Sequence, residues 1–170
     1  MARRASKLFI GVGNVLRRDD GVGVRAAEVM ANLSLPPNVE VFDGGTLGLE
    51  TASIIEHRHL VVVADAIDAR AEPGAVFKLT PEELLPYLNM ELSLHDSHFL
   101  NALDETRLRG TAPHKVVVLA VQVGDVSFGL GLSPRVEASL YRVLELGLTE
   151  LGLSPTILDR AAVGASSWAS

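Results

Sequence analysis

The sequence contains no cysteine. That absence removes disulfides, iron–sulfur clusters, thiolate zinc sites and cysteine nucleophiles together. Any metal bound here must therefore sit on oxygen and imidazole ligands. Long hydrophobic runs are missing too: the longest strand-like one, Val116 to Val121, is far below the roughly 18 residues of a transmembrane helix. Basic charge is scarce, with 15 Lys+Arg against 21 Asp+Glu and a net charge of −6. An acidic chain is a poor partner for nucleic acid or an anionic membrane, so neither is expected. The basic start MARRASK looks like the opening of a signal peptide. Its apolar run, Leu8 to Val12, ends at Gly13-Asn14 and meets the charged stretch Arg17 to Asp20, so the required apolar segment is too short. A cytoplasmic location is expected.

What is present suits a packed globule. The chain has 170 residues, 48% of them hydrophobic and 21% charged. At the usual ~150 residues per domain this is one domain. A single α/β domain is expected over residues 1–153. Residues 154–170 turn small and polar, ending GASSWAS, and read as a flexible tail in which Trp168 has no core role.

The apolar run Leu8 to Val12 predicts a strand buried on both faces. Val22, Ala26, Val29, Met30 and Leu33 then fall at helical spacing, and Pro36-Pro37 stops that helix. Val39 to Phe42 predicts a second strand, ending in Asp43-Gly44-Gly45-Thr46, with Thr46 capping a helix to about His57. His59 to Ala64 predicts a third strand. Further on come an edge strand over Gly74 to Leu79, a short helix over Pro81 to Leu88, a loop over Asn89 to Leu94 and a helix from about Ser97 to Leu108. Lys115 to Val123 predicts the last core strand, and Ser133-Pro134 reads as the cap and first residue of a closing helix. The sum is a three-layer α/β fold, a mostly parallel twisted sheet of about five strands with helices on both faces.

Three constellations carry chemistry. The first is Gly11-Val12-Gly13-Asn14-Val15-Leu16-Arg17-Arg18-Asp19-Asp20-Gly21, joining the first strand to the first helix. Its Gly-x-Gly invites a dinucleotide reading with Asp43 as ribose acceptor. Leu16 stands where that fingerprint needs glycine, however, and two carboxylates occupy the turn a phosphate would fill. One of Asp19 and Asp20 could instead be an ordinary helix N-cap. The second is Asp65, directly after an apolar strand, with Asp68 beyond it. If the strands follow a 2-1-3 order, Asp20 and Asp65 face one crevice at the topological switch point, where a cation would relieve their repulsion. A turn-forming role for Asp65 is equally open. The third is Ser93-Leu94-His95-Asp96-Ser97-His98, where Asp96 or Ser97 caps the following helix and His95 lies in the loop before it. Two carboxylates and one imidazole suit a divalent transition metal. His57 and His59 flank a strand start at the opposite sheet edge and are not expected to be ligands. The chain has no Gly-x-Ser-x-Gly elbow, no Gly-x-x-x-x-Gly-Lys phosphate loop and no His-Glu-x-x-His helix.

The blocks GVGNVLRRDDGVGV, DGGT, VVVADA, SLHDSHF and GLGLSP, in that order from about residue 8 to 151, resemble the hydrogenase maturation endopeptidases. The resemblance implies a phosphorylase/hydrolase-like α/β fold and removal of a short C-terminal peptide from the nickel-loaded precursor of a [NiFe] hydrogenase large subunit. It implies a nickel site of Asp20, Asp65 and His95, with His98 as alternative donor, the nickel arriving with the substrate and another divalent cation able to substitute. Some members carry glutamate at the position of Asp20. Asp20 or Asp65 would act as general base where not committed to the metal, in an aspartyl-type, metal-dependent endopeptidase. Gly44, Gly45 and Thr46 would border the crevice and contact the peptide. The competing readings are a nucleotide-binding α/β enzyme using Gly11, Gly13 and Asp43, and a non-catalytic chaperone that reads the partner's metal.

Overall fold

In the computed structural model, which describes residues 5–46, 48–87 and 94–158, the first apolar run forms strand β1 (Lys7–Val12) at the centre of the sheet. It pairs in parallel with β2 (Val39–Gly45) on one side and β3 (Leu60–Ile67) on the other. Strand β5 (Lys115–Gln122) extends the parallel sheet beyond β3, and β4 (Val76–Leu79) closes that edge antiparallel to β5. The order is β2-β1-β3-β5-β4, so the expected 2-1-3 arrangement is present and the switch point lies between β1 and β3.

The strands are apolar on both faces because helices cover both. Phe9, Val62 and Leu119 pack with Met30 of α1 (Val22–Ala31) and with Leu140, Leu144 and Leu148 of α5 (Pro134–Glu150). On the other face Leu8, Ile10, Val61, Val63 and Val118 pack with Ile55 of α2 (Thr51–Ile55) and with Phe99 and Leu103 of α4 (Leu94–Leu108). A one-turn helix, α3 (Pro81–Leu84), carries a reciprocal capping box between Thr80 and Glu83.

Several boundaries differ from those read in the sequence. Strand β2 continues through Gly45, where the Gly13 N–H donates to the Gly45 carbonyl at 2.8 Å and the pairing with β1 passes over Gly44 in a bulge with Gly45 at φ 45°. Thr46 is therefore no cap, and α2 begins only at Thr51. Helix α4 starts at Leu94, ahead of the expected caps Asp96 and Ser97; an aspartate is also favoured within a first turn by the helix dipole. The packed chain continues past residue 153: Pro155–Ile157 make a turn of 3-10 helix and Leu158 is buried in the α1/α5 core. Trp168 and most of the expected loop over residues 89–94 lie outside the described residues. Among the described residues, no helix is long and apolar enough to cross a membrane.

Candidate functional site

Two glycines bring the first constellation against the third strand. A Cβ on Gly23 would lie 2.1 Å from the Ala64 carbonyl oxygen and 2.3 Å from that of Val12, and one on Gly11 would lie 2.0 Å from the Gly23 carbonyl oxygen. Helix α1 thus sits with its backbone directly on β1 and β3. This contact joins the residue three after Asp20 to the residue before Asp65, so the two carboxylates emerge at one sheet edge. Asp20 lies in a 3-10 turn, Arg18–Gly21, and is 2% exposed; Asp65 is 4% exposed. Strand parity places Asp65 on the side of Val61 and Val63, the face covered by α2 and α4.

The two neighbouring aspartates of the turn have different tasks. Asp19 is fully buried and accepts four hydrogen bonds. Its Oδ2 takes the N–H groups of Gly124 and Asp125, each at 2.8 Å, and the Ser133 hydroxyl at 2.8 Å, while its Oδ1 takes the Ser133 N–H at 2.6 Å. Neither aspartate caps α1 by its side chain. Ser133, expected to cap α5 with its hydroxyl, makes no such bond because that hydroxyl is given to Asp19. Asp20 Oδ2 accepts the Asn14 N–H at 3.2 Å, and Asp65 Oδ1 the adjacent Ala66 N–H at 2.7 Å.

The backbone donors that a phosphate would need are already committed. Gly13 donates to Gly45, Asn14 to Asp20 and Leu16 to the Asn14 side chain at 3.0 Å. Gly13 has φ 142°, and a Cβ there would lie 1.8 Å from the Asp20 carbonyl oxygen. The glycine lets the loop fold back on itself. Asp43, the alternative ribose acceptor, turns its Oδ1 to the Gly45 N–H at 2.9 Å. The loop is built to present a carboxylate, and the nucleotide reading has no support here.

The remaining predicted residues divide between the two ends of the sheet. Gly44, Gly45 and Thr46 stand at the carboxyl end of β2, joined to the first constellation through the Gly13–Gly45 bond. Helix α4 finishes close to the start of β3, where the His57 N–H donates to the Thr111 carbonyl at 2.8 Å. Because α4 spans 15 residues, about 22 Å at 1.5 Å per residue, its first turn reaches back toward the carboxyl edge. His95 belongs to that turn and so to the helix, not to the preceding loop; its side chain lies outside the described residues. His98 is exposed and lines an open cleft of about 310 Å³ with Gly48, Leu49, Asn101, Ala102 and Glu105, which neither Asp20 nor Asp65 lines. His59 packs its ring against His114 at the opposite sheet edge, with centroids 5.5 Å apart. No cluster of three or more metal-ligating side chains occurs among the described residues.

Comparison with known proteins decides the family. A family model described as hydrogenase maturation protease matches residues 24–150. The chain belongs to the hydrogenase maturation protease family. Among relatives of this family, the hydrogenase 2 maturation protease of Escherichia coli (strain K12) is 34% identical over 146 residues, covering 85% of this chain and 89% of the relative. The hydrogenase expression/formation protein HupD of Bradyrhizobium diazoefficiens is 34% identical over 167 residues, 94% of this chain and 85% of that one. The solved structure of the hydrogenase maturating endopeptidase HybD from E. coli superposes with a TM-score of 0.79 at 32% identity, covering 89% of this chain and 96% of that chain. This hydrogenase maturation protease is therefore a peptidase by family, with the mostly parallel α/β fold of its relatives.

The sequence alone missed two residues that shape the protease's crevice. Asp19 was legible only as half of an acidic pair. Gln122, at the end of β5, is buried, and its Oε1 accepts the N–H groups of Ala69 (2.8 Å) and Ala71 (3.2 Å). Its amide nitrogen donates to Asp68 at 3.2 Å, so Gln122 fixes the loop that follows Asp65. A glutamine closing an apolar strand was the available signal.

Proposed function

We propose that this chain removes a short C-terminal peptide from the nickel-loaded precursor of a [NiFe] hydrogenase large subunit, in the cytoplasm. The observation that carries the reading is the pair Asp20 and Asp65, both buried and both delivered to the switch-point edge by the Gly11–Gly23–Ala64 contact. A divalent cation bound between two buried carboxylates offsets the cost of holding both charges in one crevice.

In this reading Asp20, Asp65 and His95 offer two carboxylates and an imidazole to the nickel that the substrate carries, a donor set that a divalent transition metal accepts without thiolates. Another divalent cation on the precursor would fit the same donors. Docking on the metal sets the scissile bond against the edge, and Gly44, Gly45 and Thr46 contact the peptide beside it. A carboxylate oxygen left off the metal takes a proton from the attacking water as that water adds to the scissile carbonyl. The same proton then passes to the leaving amine, which departs as the new N-terminus of the released peptide.

The test is to mix the purified protein with nickel-loaded precursor and follow electrophoretic mobility. A small downward shift is the expected result. A stable complex without any shift would overturn the enzyme reading in favour of a chaperone.

A further inference from the structure

Three large apolar side chains stand in water beside the candidate site: Leu16, Phe128 and Leu130 are 59%, 86% and 56% exposed. They are not scattered. The Gly129 N–H donates to the Leu16 carbonyl at 2.9 Å and the Arg18 N–H donates to the Gly129 carbonyl at 3.1 Å, so residues 16–18 and 128–130 run together as a short two-chain rim. Isolated exposed leucines need no explanation, but three large exposed apolar residues on one hydrogen-bonded rim mark a contact surface.

The rim is held in place as well as exposed. Arg17 donates its Nε to the Val126 carbonyl at 3.3 Å, and Arg18 pairs with Asp125 at 3.4 Å. Arg18 itself sits at φ 46°, a left-handed conformation that a non-glycine residue keeps only when its surroundings hold it there. Asp19 ties the base of the second loop to the first through its four hydrogen bonds. The next residue is Asp20, so the rim runs without a break into the crevice. At its surface two guanidinium groups face the Asp125 carboxylate, while the carboxylates of Asp19 and Asp20 lie buried beneath them.

We propose that this rim is the docking surface for the precursor polypeptide, and that it receives an apolar segment flanked by acidic side chains next to the scissile bond. The inference rests on the reading of the protein as a processing endopeptidase. Three metal ligands select a metallated substrate, but affinity for a whole protein needs desolvated apolar anchors, and Phe128 is the aromatic one available. Arg17 and Arg18 answer the acidic flanks and steer approach against the repulsion of the remaining surface.

The experiment compares the wild-type chain with the combined variant Leu16→Ser, Phe128→Ser, Leu130→Ser, reading the dissociation constant for nickel-loaded precursor by fluorescence anisotropy and cleavage in parallel. Thermal melting checks that the variant folds, as substitutions at exposed positions should allow. The expected result is binding weakened about tenfold or more, with turnover at saturating precursor within about twofold of wild type. An unchanged dissociation constant overturns the proposal, as does an absence of precursor binding by the wild type. Rim-dependent self-association of the wild type with unchanged precursor binding also overturns it, and assigns the rim to a second copy of the chain. Rim-dependent binding without cleavage by the wild type leaves the docking surface standing and removes the endopeptidase reading instead.

Discussion

Asp19 and Asp20 are adjacent, both buried, and do different work. Asp19 is spent on structure, since its two oxygens satisfy four donors from the 124–133 loop. Truncation would leave backbone N–H groups without a partner in a part-buried setting. Asp19→Ala should cost about 3 kcal/mol, visible as a lower urea midpoint. A midpoint equal to wild type would mean that water replaces the carboxylate. Asp20, Asp65 and His95 should behave in the opposite way: each alanine variant is expected to abolish processing while its stability stays within about 1 kcal/mol of wild type and its circular dichroism is preserved. Loss of folding in all three would make them structural residues. The acidic pair was visible in the sequence, but the division of labour within it was not. Asp19's partners lie more than 100 residues downstream, and no local pattern encodes a bond of that range.

The strands were legible because a sheet covered on both faces needs apolar residues at successive positions, and Leu8 to Val12, Val61 to Ala64 and Val116 to Val121 supply them. The parallel pairing followed from the alternation of strand and helix, whereas the 2-1-3 order entered only as a condition that the structure meets. Helix starts were less legible: Thr46 carries the chemistry of a cap, yet a bond from Gly13 to Gly45 keeps the chain paired with β1 up to that point. Where α1 meets β1 and β3, the packing leaves no room for a methyl group. Gly23→Ala should destabilise by about 3 kcal/mol, the range of overpacked cores, and should impair processing in the fraction that folds, because it pushes the Asp20 turn away from β3. Wild-type stability in a melting experiment would contradict the close approach.

In α5, burial pushes the Glu137 carboxyl above its ordinary 4.5, with Arg25 of α1 pulling it part of the way back. A raised value means that the folded protein holds this proton more tightly than the unfolded chain does. The resulting stability is present below the unfolded value and is lost as pH rises through the folded one. Glu137→Gln, which cannot ionise, should therefore gain stability relative to wild type as pH rises above the ordinary carboxylate value. Parallel stability curves for the two proteins would show that Glu137 is as well solvated folded as unfolded.

At the scale of the molecule, composition set limits that the fold then used. With no cysteine, the metal-reading edge of the proposed function has only carboxylates and imidazole to draw on. The carboxyl ends of β1, β2 and β3 gather Asp20, Asp43 and Asp65 there, so part of the −6 net charge is concentrated at the crevice. In the proposed function this edge cleaves a precursor only when it carries nickel. Intact-mass spectrometry of nickel-loaded and nickel-free precursor, each incubated with the purified protein, tests that directly. The expected result is loss of a C-terminal peptide from the nickel-loaded precursor and none from the nickel-free one. Equal cleavage of both, or of neither, would contradict it.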